Sequence, residues 1–268
     1  MSMTTVVWRK RIVYEPRGRA LEYAPLAVSL YHGCEHGCTY CYAPSALKMD
    51  RANFLKPYVR KDALIRLEKD AAELASIGDT REILMSFTTD PYQPIEEKLR
   101  ITRAALEILM KYKLHVNILT KNGLLSTRDF DILAGNKDLC RYGTTLTFTD
   151  PEDRIKFEPN ASPTEHRIAA LQMAHKRGIS TWSSIEPVFY PEQSLDLIRK
   201  TVGFVDEYKI GKLNHMEEYK VSEKEMTVFV LEVKRILDDA GKRYIFKKDL
   251  YPYLQKAGIH TYKPKGVT

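Results

Sequence analysis

Short apolar runs alternate with longer amphipathic stretches along most of the chain. The helical pattern is clear where Leu64, Leu67, Ala71 and Leu74 recur at three- and four-residue spacing. Such stretches predict helices over 58–77, 99–111, 129–133, 162–178, 195–202 and 222–240, and the apolar runs predict buried strands over 26–31, 83–87, 116–120, 143–148, 180–185 and 207–210. Strands that alternate with helices favour parallel βαβ units joined by right-handed crossovers.

Six such units make three quarters of an eight-unit barrel. The sequence therefore predicts an α/β fold, an open partial (β/α)6 TIM-type barrel, over residues 26–243. Residues 1–25 are interrupted by Pro16 and Gly18 and are expected to form an extended N-terminal arm. Residues 244–268, which hold aromatic residues among lysines, are expected to be a C-terminal extension packed on the barrel.

Two predicted helices begin with capping-box signals. Ser162 is followed by Pro163 and Glu165, and Ser222 is followed three residues later by Glu225. We therefore expect Ser162 and Ser222 to cap their helices.

Composition and charge narrow the class of protein. The chain has 268 residues, 44% of them hydrophobic, which is enough for a full core. Its formal charge of +7, with basic residues clustered near both ends, is compatible with a polyanionic substrate and also with an ordinary solvated surface. No segment is apolar for long enough to cross a membrane. The lack of an apolar leader and the low number of cysteines predict a cytoplasmic location.

Three of the four cysteines, Cys34, Cys38 and Cys41, lie within eight consecutive positions. Gly33 and Gly37 permit the tight backbone that such a loop needs to wrap one metal centre. Structural zinc sites and electron-transfer iron–sulfur clusters normally have four protein ligands, so three thiolates leave one coordination position open. An open position indicates chemistry at the metal.

Other interpretations of the cysteine loop remain. His32 or His36 could complete a zinc knuckle that stabilises a non-catalytic nucleic-acid-binding module. Two of the cysteines could form a disulfide and leave a spare thiol. The two histidines could also serve only as hydrogen-bonding residues of the loop.

Polar residues stand at the ends of successive predicted strands, where barrel enzymes place their active sites. Individually each could be a cap or a turn residue, but together they favour a binding site. They are Thr88, Thr89 and Asp90 after the second strand, Lys121 after the third, Thr147 in the fourth and Glu186 after the fifth.

The C-x-x-x-C-x-x-C spacing of the three cysteines resembles that of the radical S-adenosylmethionine superfamily. The wider stretch from Gly33 to Pro44 is similar to the branch that contains spore photoproduct lyase and the proteins called DNA repair photolyases. The resemblance implies an open (β/α)6 barrel and a [4Fe–4S] cluster held by the three cysteines, with S-adenosylmethionine on the fourth iron. It also implies reductive cleavage of that cofactor to a 5′-deoxyadenosyl radical, which abstracts a hydrogen atom from the substrate.

The resemblance also implies roles for individual residues. Thr89, Lys121 and Thr147 match positions that contact the cofactor in spore photoproduct lyase, and a lysine ammonium suits the cofactor's carboxylate. Tyr40 is expected near the adenine, and Glu186 near the ribose or adenine. Tyr40 and Tyr42 match the two tyrosines of that family's radical relay, so both are candidate catalytic residues.

One position departs from the family pattern. Spore photoproduct lyases have a hydrogen-donating cysteine two positions before the second-strand hydroxyl residue, and this chain has Phe87 there. Repair of the spore lesion by the same route is therefore not expected. The remaining cysteine, Cys140, precedes the fourth strand and is expected to be an inert buried thiol.

The substrate and partners follow from the same resemblance. A nucleic acid or nucleotide is the expected substrate, and a peptide or a small metabolite is the alternative. An external electron donor of flavodoxin or ferredoxin type is expected to reduce the cluster.

Overall fold

The computed structural model describes residues 11–214, 216–260 and 262. An eight-stranded sheet runs in the order β1-β2-β5-β6-β7-β8-β9-β10, and β3 pairs with β4 in a separate antiparallel ribbon. All neighbours in the large sheet are parallel except β1, which pairs antiparallel with β2. The strands are β1 Val13–Tyr14, β2 Leu26–Val28, β3 Tyr31–His32, β4 Tyr58–Val59, β5 Ile83–Met85, β6 Val116–Thr120, β7 Cys140–Thr145, β8 Ser180–Val188, β9 Glu207–Lys212 and β10 Arg243–Phe246.

Helices connect the parallel strands. They are α1 Ala43–Ala46, α2 Arg51–Phe54, α3 Ala63–Ser76, α4 Glu96–Leu99, α5 Ile101–Lys111, α6 Gly123–Ser126, α7 Phe130–Gly135, α8 Pro151–Phe157, α9 Thr164–Lys176, α10 Pro191–Thr201, α11 Glu223–Asp239 and α12 Tyr251–Lys256. Short 3-10 helices span Gly18–Glu22, Thr127–Asp129, Glu217–Tyr219 and Lys248–Leu250. None of the helices in the described ranges is long and apolar enough to cross a membrane.

The predicted fold class, an α/β partial barrel, is confirmed. Each of the six predicted strands has a counterpart in the parallel sheet. The first ends early, at Val28, and Tyr31–His32 turns away to pair with Tyr58–Val59. The predictions of Thr147 within the fourth strand and Glu186 after the fifth are wrong, because β7 ends at Thr145 and β8 continues through Glu186 to Val188. The structure adds a seventh parallel strand, Arg243–Phe246, beside Glu207–Lys212. The predicted division at residue 243 falls at the start of this strand, and the domain limits themselves stay a prediction.

Three helix predictions differ from the structure. The helix predicted over 195–202 begins four residues earlier, at Pro191. The helix predicted over 58–77 begins only at Ala63, because Tyr58–Val59 is a strand. The helix predicted over 99–111 is interrupted at Arg100, whose φ of 49° is left-handed. Helical hydrogen bonding cannot continue through that conformation.

Only one of the two predicted caps is present. Ser222 and Glu225 form the expected capping box at the start of α11. The prediction for Ser162 is wrong, because Pro163 is the N-cap residue of α9 and no side chain caps that helix. The Ser162 hydroxyl instead donates to the Lys121 carbonyl at 3.0 Å and accepts from the Gly123 amide at 3.1 Å.

Apolar side chains pack on both faces of the sheet. The larger cluster lies between the sheet and the helices and includes Leu67, Leu106, Ile198 and Val233. A smaller cluster of Ala24, Leu84 and Trp182 lies on the inner face. Gly143 is required there, because a Cβ at that position would come within 2.3 Å of the Trp182 indole. The indole therefore fills the inside of the barrel below the strand ends.

Candidate active site

A cavity of about 650 Å³ opens at the carboxyl ends of the parallel strands. Its volume is in the range of sites that hold a cofactor or a drug-sized ligand, roughly 300–1,000 Å³. Of the site residues predicted from the sequence, those that line it are Cys34, Cys38, Tyr40, Cys41, Tyr42, Thr88, Thr89, Asp90, Lys121 and Glu186. Thr147 is not among its lining residues. Their roles in binding remain predictions, but the structure brings these ten residues together.

The cysteine loop has a backbone that depends on glycine. Gly33 and Gly37 have φ values of 89° and 68°, which side chains other than glycine rarely adopt. A Cβ on Gly33 would also lie 2.6 Å from the Phe54 carbonyl oxygen, which accepts a hydrogen bond from the Cys34 amide. These contacts fix the entry to the loop.

Arg51 braces the other end of the loop. Its guanidinium donates to the carbonyls of Cys38 at 2.8 Å and Thr39 at 3.0 Å. These hydrogen bonds fix the two carbonyl oxygens, and the guanidinium places a positive charge beside the cysteines. The sequence analysis missed this residue, since no motif marks an arginine that binds backbone carbonyls.

None of the three loop cysteines is in a disulfide; Cys34 and Cys38 are buried and Cys41 is partly exposed. Burial, and then repulsion from Glu158, raises the pKa of Cys38 to about 12, while burial, Asp90 and Cys38 raise the pKa of Cys34 well above its usual range. Three thiolates in this position would repel one another unless they bound a cation. The donor set therefore fits a positively charged iron centre, which deprotonates its thiol ligands.

The two loop histidines have different surroundings. The ring of His32 packs against that of Tyr58, with centroids 5.3 Å apart. His36 is buried, and its Nδ1 lies 3.4 Å from an Asp90 carboxylate oxygen. Its Nε2 has no hydrogen-bond partner among the residues that the structure describes. Within those residues, no three His, Cys, Asp or Glu side chains converge on a position for a single metal ion.

The polar residues after β5 are held by the protein. Asp90 accepts hydrogen bonds from the Thr120 hydroxyl and from the Lys121 amide, both at 2.7 Å. Burial opposes ionisation of Asp90, but His36 and these hydrogen bonds outweigh it and hold its pKa below the usual value. The Thr89 hydroxyl donates to the Gly33 carbonyl at 2.6 Å. Asp90 and Thr89 thus position the strand end against the cysteine loop.

Lys121 and Thr147 meet at one buried carboxylate, that of Glu158. The Lys121 ammonium lies 3.2 Å from Glu158 Oε1, and the lysine side chain is 15% exposed, on the cavity wall. Thr147 is fully buried and donates to the same oxygen at 3.1 Å. Its hydroxyl is therefore turned to Glu158, and the strand β7 hydroxyl residue that lines the cavity is Thr145.

Glu186 also lines the cavity and forms an ion pair with buried Lys247. The Tyr23 hydroxyl donates to the same carboxylate, and the Lys247 ammonium lies 3.6 Å from the Tyr23 ring centroid. Gly211 makes room for this group, because a Cβ there would lie 2.7 Å from Glu186 Cδ. Tyr23 and Lys247 were not predicted as site residues, since Tyr23 comes from the arm and Lys247 directly follows the strand that the sequence analysis missed.

Comparison with known proteins identifies the family. The family model of the radical SAM superfamily matches residues 28–205. The chain belongs to the radical SAM superfamily. The cofactors expected from the sequence, a [4Fe–4S] cluster and S-adenosylmethionine, are those that this superfamily uses, and its members require an electron donor.

Relatives similar in sequence carry no described function. An uncharacterized protein of Methanocaldococcus jannaschii is 28% identical over 195 residues, 71% of each chain. An uncharacterized protein of Mycobacterium tuberculosis (strain ATCC 25618 / H37Rv) is 26% identical over 182 residues, 65% of this chain and 52% of the relative. The chain therefore spans about half the length of the mycobacterial relative.

Solved structures support the fold. A spore photoproduct lyase complexed with dinucleoside spore photoproduct gives a TM-score of 0.64 at 14% identity, covering 87% of this chain and 79% of the other. Streptococcus suis SuiB bound to S-adenosylmethionine gives 0.61 at 13% identity, covering 82% and 49%. SuiB has also been solved with its precursor peptide SuiA. At these identities the likeness concerns the fold alone.

Proposed function

We propose that the protein cleaves S-adenosylmethionine reductively and removes a hydrogen atom from a substrate in the cavity. The observation that carries the proposal is the convergence of Cys34, Cys38, Cys41 and Lys121 on one cavity at the strand ends. When bound, the [4Fe–4S] cluster and S-adenosylmethionine supply an electron and a 5′-deoxyadenosyl radical.

The protein residues bind and orient the reactants. The three thiolates hold the cluster, and Lys121 binds the cofactor's carboxylate as a point charge. Thr145 takes the contact that the resemblance assigned to Thr147, because Thr145 is the one that lines the cavity. The remaining predicted contacts, which surround the cofactor and exclude water, are Tyr40, Thr88, Thr89, Asp90 and Glu186.

Tyr42 is the proposed catalytic tyrosine, and Tyr40 is the proposed second tyrosine of the radical relay. Phe87 has no hydrogen atom suitable for transfer, and the Tyr42 hydroxyl donates to the Phe87 carbonyl at 3.2 Å. Tyr42 is half exposed and lines the cavity, whereas the Tyr40 hydroxyl donates to buried Glu158. The Tyr42 hydroxyl thus lies next to residue 87, the position at which the spore photoproduct lyase pattern has its cysteine, and this supports the proposed role.

The proposed substrate is a nucleic acid or a nucleotide, with a lyase-type or repair reaction. The cavity lining also includes the cations Arg17, Lys212 and Lys247, of which only Lys247 has a carboxylate partner within the described residues. The aromatic side chains of Tyr42 and Phe87 line the same cavity and suit base stacking. The SuiB complex with a peptide keeps a peptide substrate as the alternative.

Quantitation of 5′-deoxyadenosine tests the radical chemistry. The protein is reconstituted anaerobically with iron and sulfide, reduced with dithionite and given S-adenosylmethionine. We expect a brown protein that forms 5′-deoxyadenosine, which is the product once the radical has taken a hydrogen atom. A flavodoxin- or ferredoxin-type protein should replace dithionite.

Cysteine variants provide the controls. Cys34→Ala should lose the cluster and product formation, whereas Cys140→Ala should retain both, because the Cys140 thiol packs against Met110 outside the cavity. A Cys34→Ala protein that still cleaves the cofactor would contradict the proposal. A colourless protein with one bound zinc, indifferent to S-adenosylmethionine, would favour the structural zinc module.

A further inference from the structure

Glu158 is a fully buried carboxylate that joins distant parts of the site. Its Oε1 accepts hydrogen bonds from the Tyr40 hydroxyl and from Thr147, and lies 3.2 Å from the Lys121 ammonium. Its Oε2 accepts from Arg167 Nη2 at 2.6 Å. Both oxygens are therefore used, and burial of the charge is compensated by two cations.

The segment that carries Glu158 also holds the cysteine loop through its backbone. The Phe157 carbonyl accepts from the Thr39 amide at 2.9 Å, and the Asn160 side chain donates to the Glu35 carbonyl at 2.8 Å. The Ser162 amide donates to the Lys121 carbonyl at 3.1 Å. One short segment thus contacts both the loop for the cluster and the lysine for the cofactor.

The charges in this group do not balance. Lys121 and Arg167 share a single carboxylate, which leaves one positive charge. Arg167 is fixed away from the cavity, because it also donates to the Ser162 carbonyl at 2.9 Å and to the Thr145 carbonyl at 3.0 Å. Lys121 lines the cavity, so the uncompensated charge is presented there.

We propose that Glu158 is a positioning residue that holds the Lys121 ammonium at the cavity wall, ready for the carboxylate of S-adenosylmethionine, in fixed relation to Tyr40 of the cysteine loop. The inference rests on the proposed function, since it takes Lys121 as a cofactor contact. Glu158 itself lies behind Lys121 and does not line the cavity. It acts through Lys121 and Tyr40.

Glu158→Gln tests this role, because the amide has nearly the same shape but no charge. We expect the dissociation constant for S-adenosylmethionine, measured by equilibrium dialysis on the reconstituted protein, to rise about tenfold or more. The physical reason is that Lys121 loses its anchor and is repelled by Arg167. Iron and sulfide content should stay at the wild-type level. The change that the cofactor causes in the electron paramagnetic resonance spectrum of the reduced cluster should require correspondingly more cofactor.

Two further variants separate positioning from folding. Glu158→Gln leaves Arg167 buried without its carboxylate, which could unfold the protein, so Glu158→Gln combined with Arg167→Met removes both charges. The double variant should keep the cluster and still bind the cofactor weakly. Glu152→Gln, on the exposed surface of α8, is the matched control and should bind normally.

Each outcome decides between roles. Wild-type affinity for the cofactor in either Glu158 variant that retains a full cluster would overturn the proposal. Loss of cluster and fold in both variants would assign Glu158 a purely structural role and would also overturn it. Failure of the wild-type protein to cleave S-adenosylmethionine despite binding it would instead reject the proposed function and leave the positioning role standing.

Discussion

Lys209 is a buried lysine just below the cavity, on the inner face of the sheet. Its ammonium donates to the Tyr23 carbonyl at 2.6 Å, lies 5.1 Å from the Trp182 ring centroid and is 3.9 Å from a Glu207 oxygen. Burial lowers the pKa of Lys209 to about 8, although Glu207 opposes the shift. The charged form of Lys209 therefore destabilises the folded protein near neutral pH. Its hydrogen bond to the Tyr23 carbonyl nevertheless holds the arm on the sheet.

The pH dependence of stability checks this shift. Between pH 8 and the usual lysine pKa of about 10.4, the unfolded chain binds more protons at this group than the folded protein, so its contribution to stability rises with pH. Relative to Lys209→Met, the free energy of unfolding of the wild type should increase by about 2 kcal/mol between pH 7.5 and 9.5. Urea titrations of both proteins at the two pH values measure it, and a constant difference would mean that Lys209 titrates normally.

The predictable site residues share a simple property. Lys121 and Thr89 follow recognisable apolar runs, Glu186 follows the predicted strand over 180–185, and the carboxyl ends of parallel strands meet at one edge. Thr147 lies two residues beyond Thr145, past the end of β7, and sequence spacing does not tell which hydroxyl will donate to a buried carboxylate. Glu158 and Arg51 act through contacts with residues distant in sequence, so no periodic pattern in the sequence predicts them.

At the scale of elements, strand prediction depended on apolar, β-branched and aromatic residues between helical stretches. Ile83–Met85 is a continuous apolar run, whereas Cys140–Thr145, Ser180–Val188 and Glu207–Lys212 are mostly buried but contain polar residues. In β10, Tyr244 and Phe246 are buried while the residues between and before them are more exposed. That alternation is short, lies among lysines and was assigned to the extension. Residues 243–246 form a strand because they pair with β9, and a short stretch of sequence does not reveal that pairing.

The capping box at the start of α11 should contribute measurably to stability. Ser222→Ala should lower the free energy of unfolding by about 1 kcal/mol, because it removes the capping box of α11. Ser222→Asp should restore most of that loss, since aspartate is also a good N-cap. Chemical denaturation of the three proteins gives the comparison. Equal losses in both variants would mean that the hydroxyl does something other than cap.

At the scale of the whole molecule, two segments that are far apart in sequence contribute to the cavity. The arm supplies Arg17 and Tyr23, and the segment after the seventh strand supplies Lys247. The Glu22 carboxylate accepts from the Lys248 amide at 3.2 Å, which ties the two segments together. Since both segments lie outside the six predicted strands, we expect them to supply substrate contacts in the proposed reaction.

Salt dependence of oligonucleotide binding tests the nucleic-acid proposal at this scale. Lys212 lines the cavity without a carboxylate partner in the described ranges, whereas Lys200 is exposed on α10 and paired with Asp196. If a phosphate binds Lys212, affinity for a short single-stranded oligonucleotide should fall steeply as salt rises, and Lys212→Gln should reduce the slope of log K against log salt by about 1. Lys200→Gln should leave the slope unchanged. Fluorescence anisotropy over a series of salt concentrations measures all three proteins, and absence of binding even at low salt would reject a nucleic acid and favour the peptide or small-metabolite alternative.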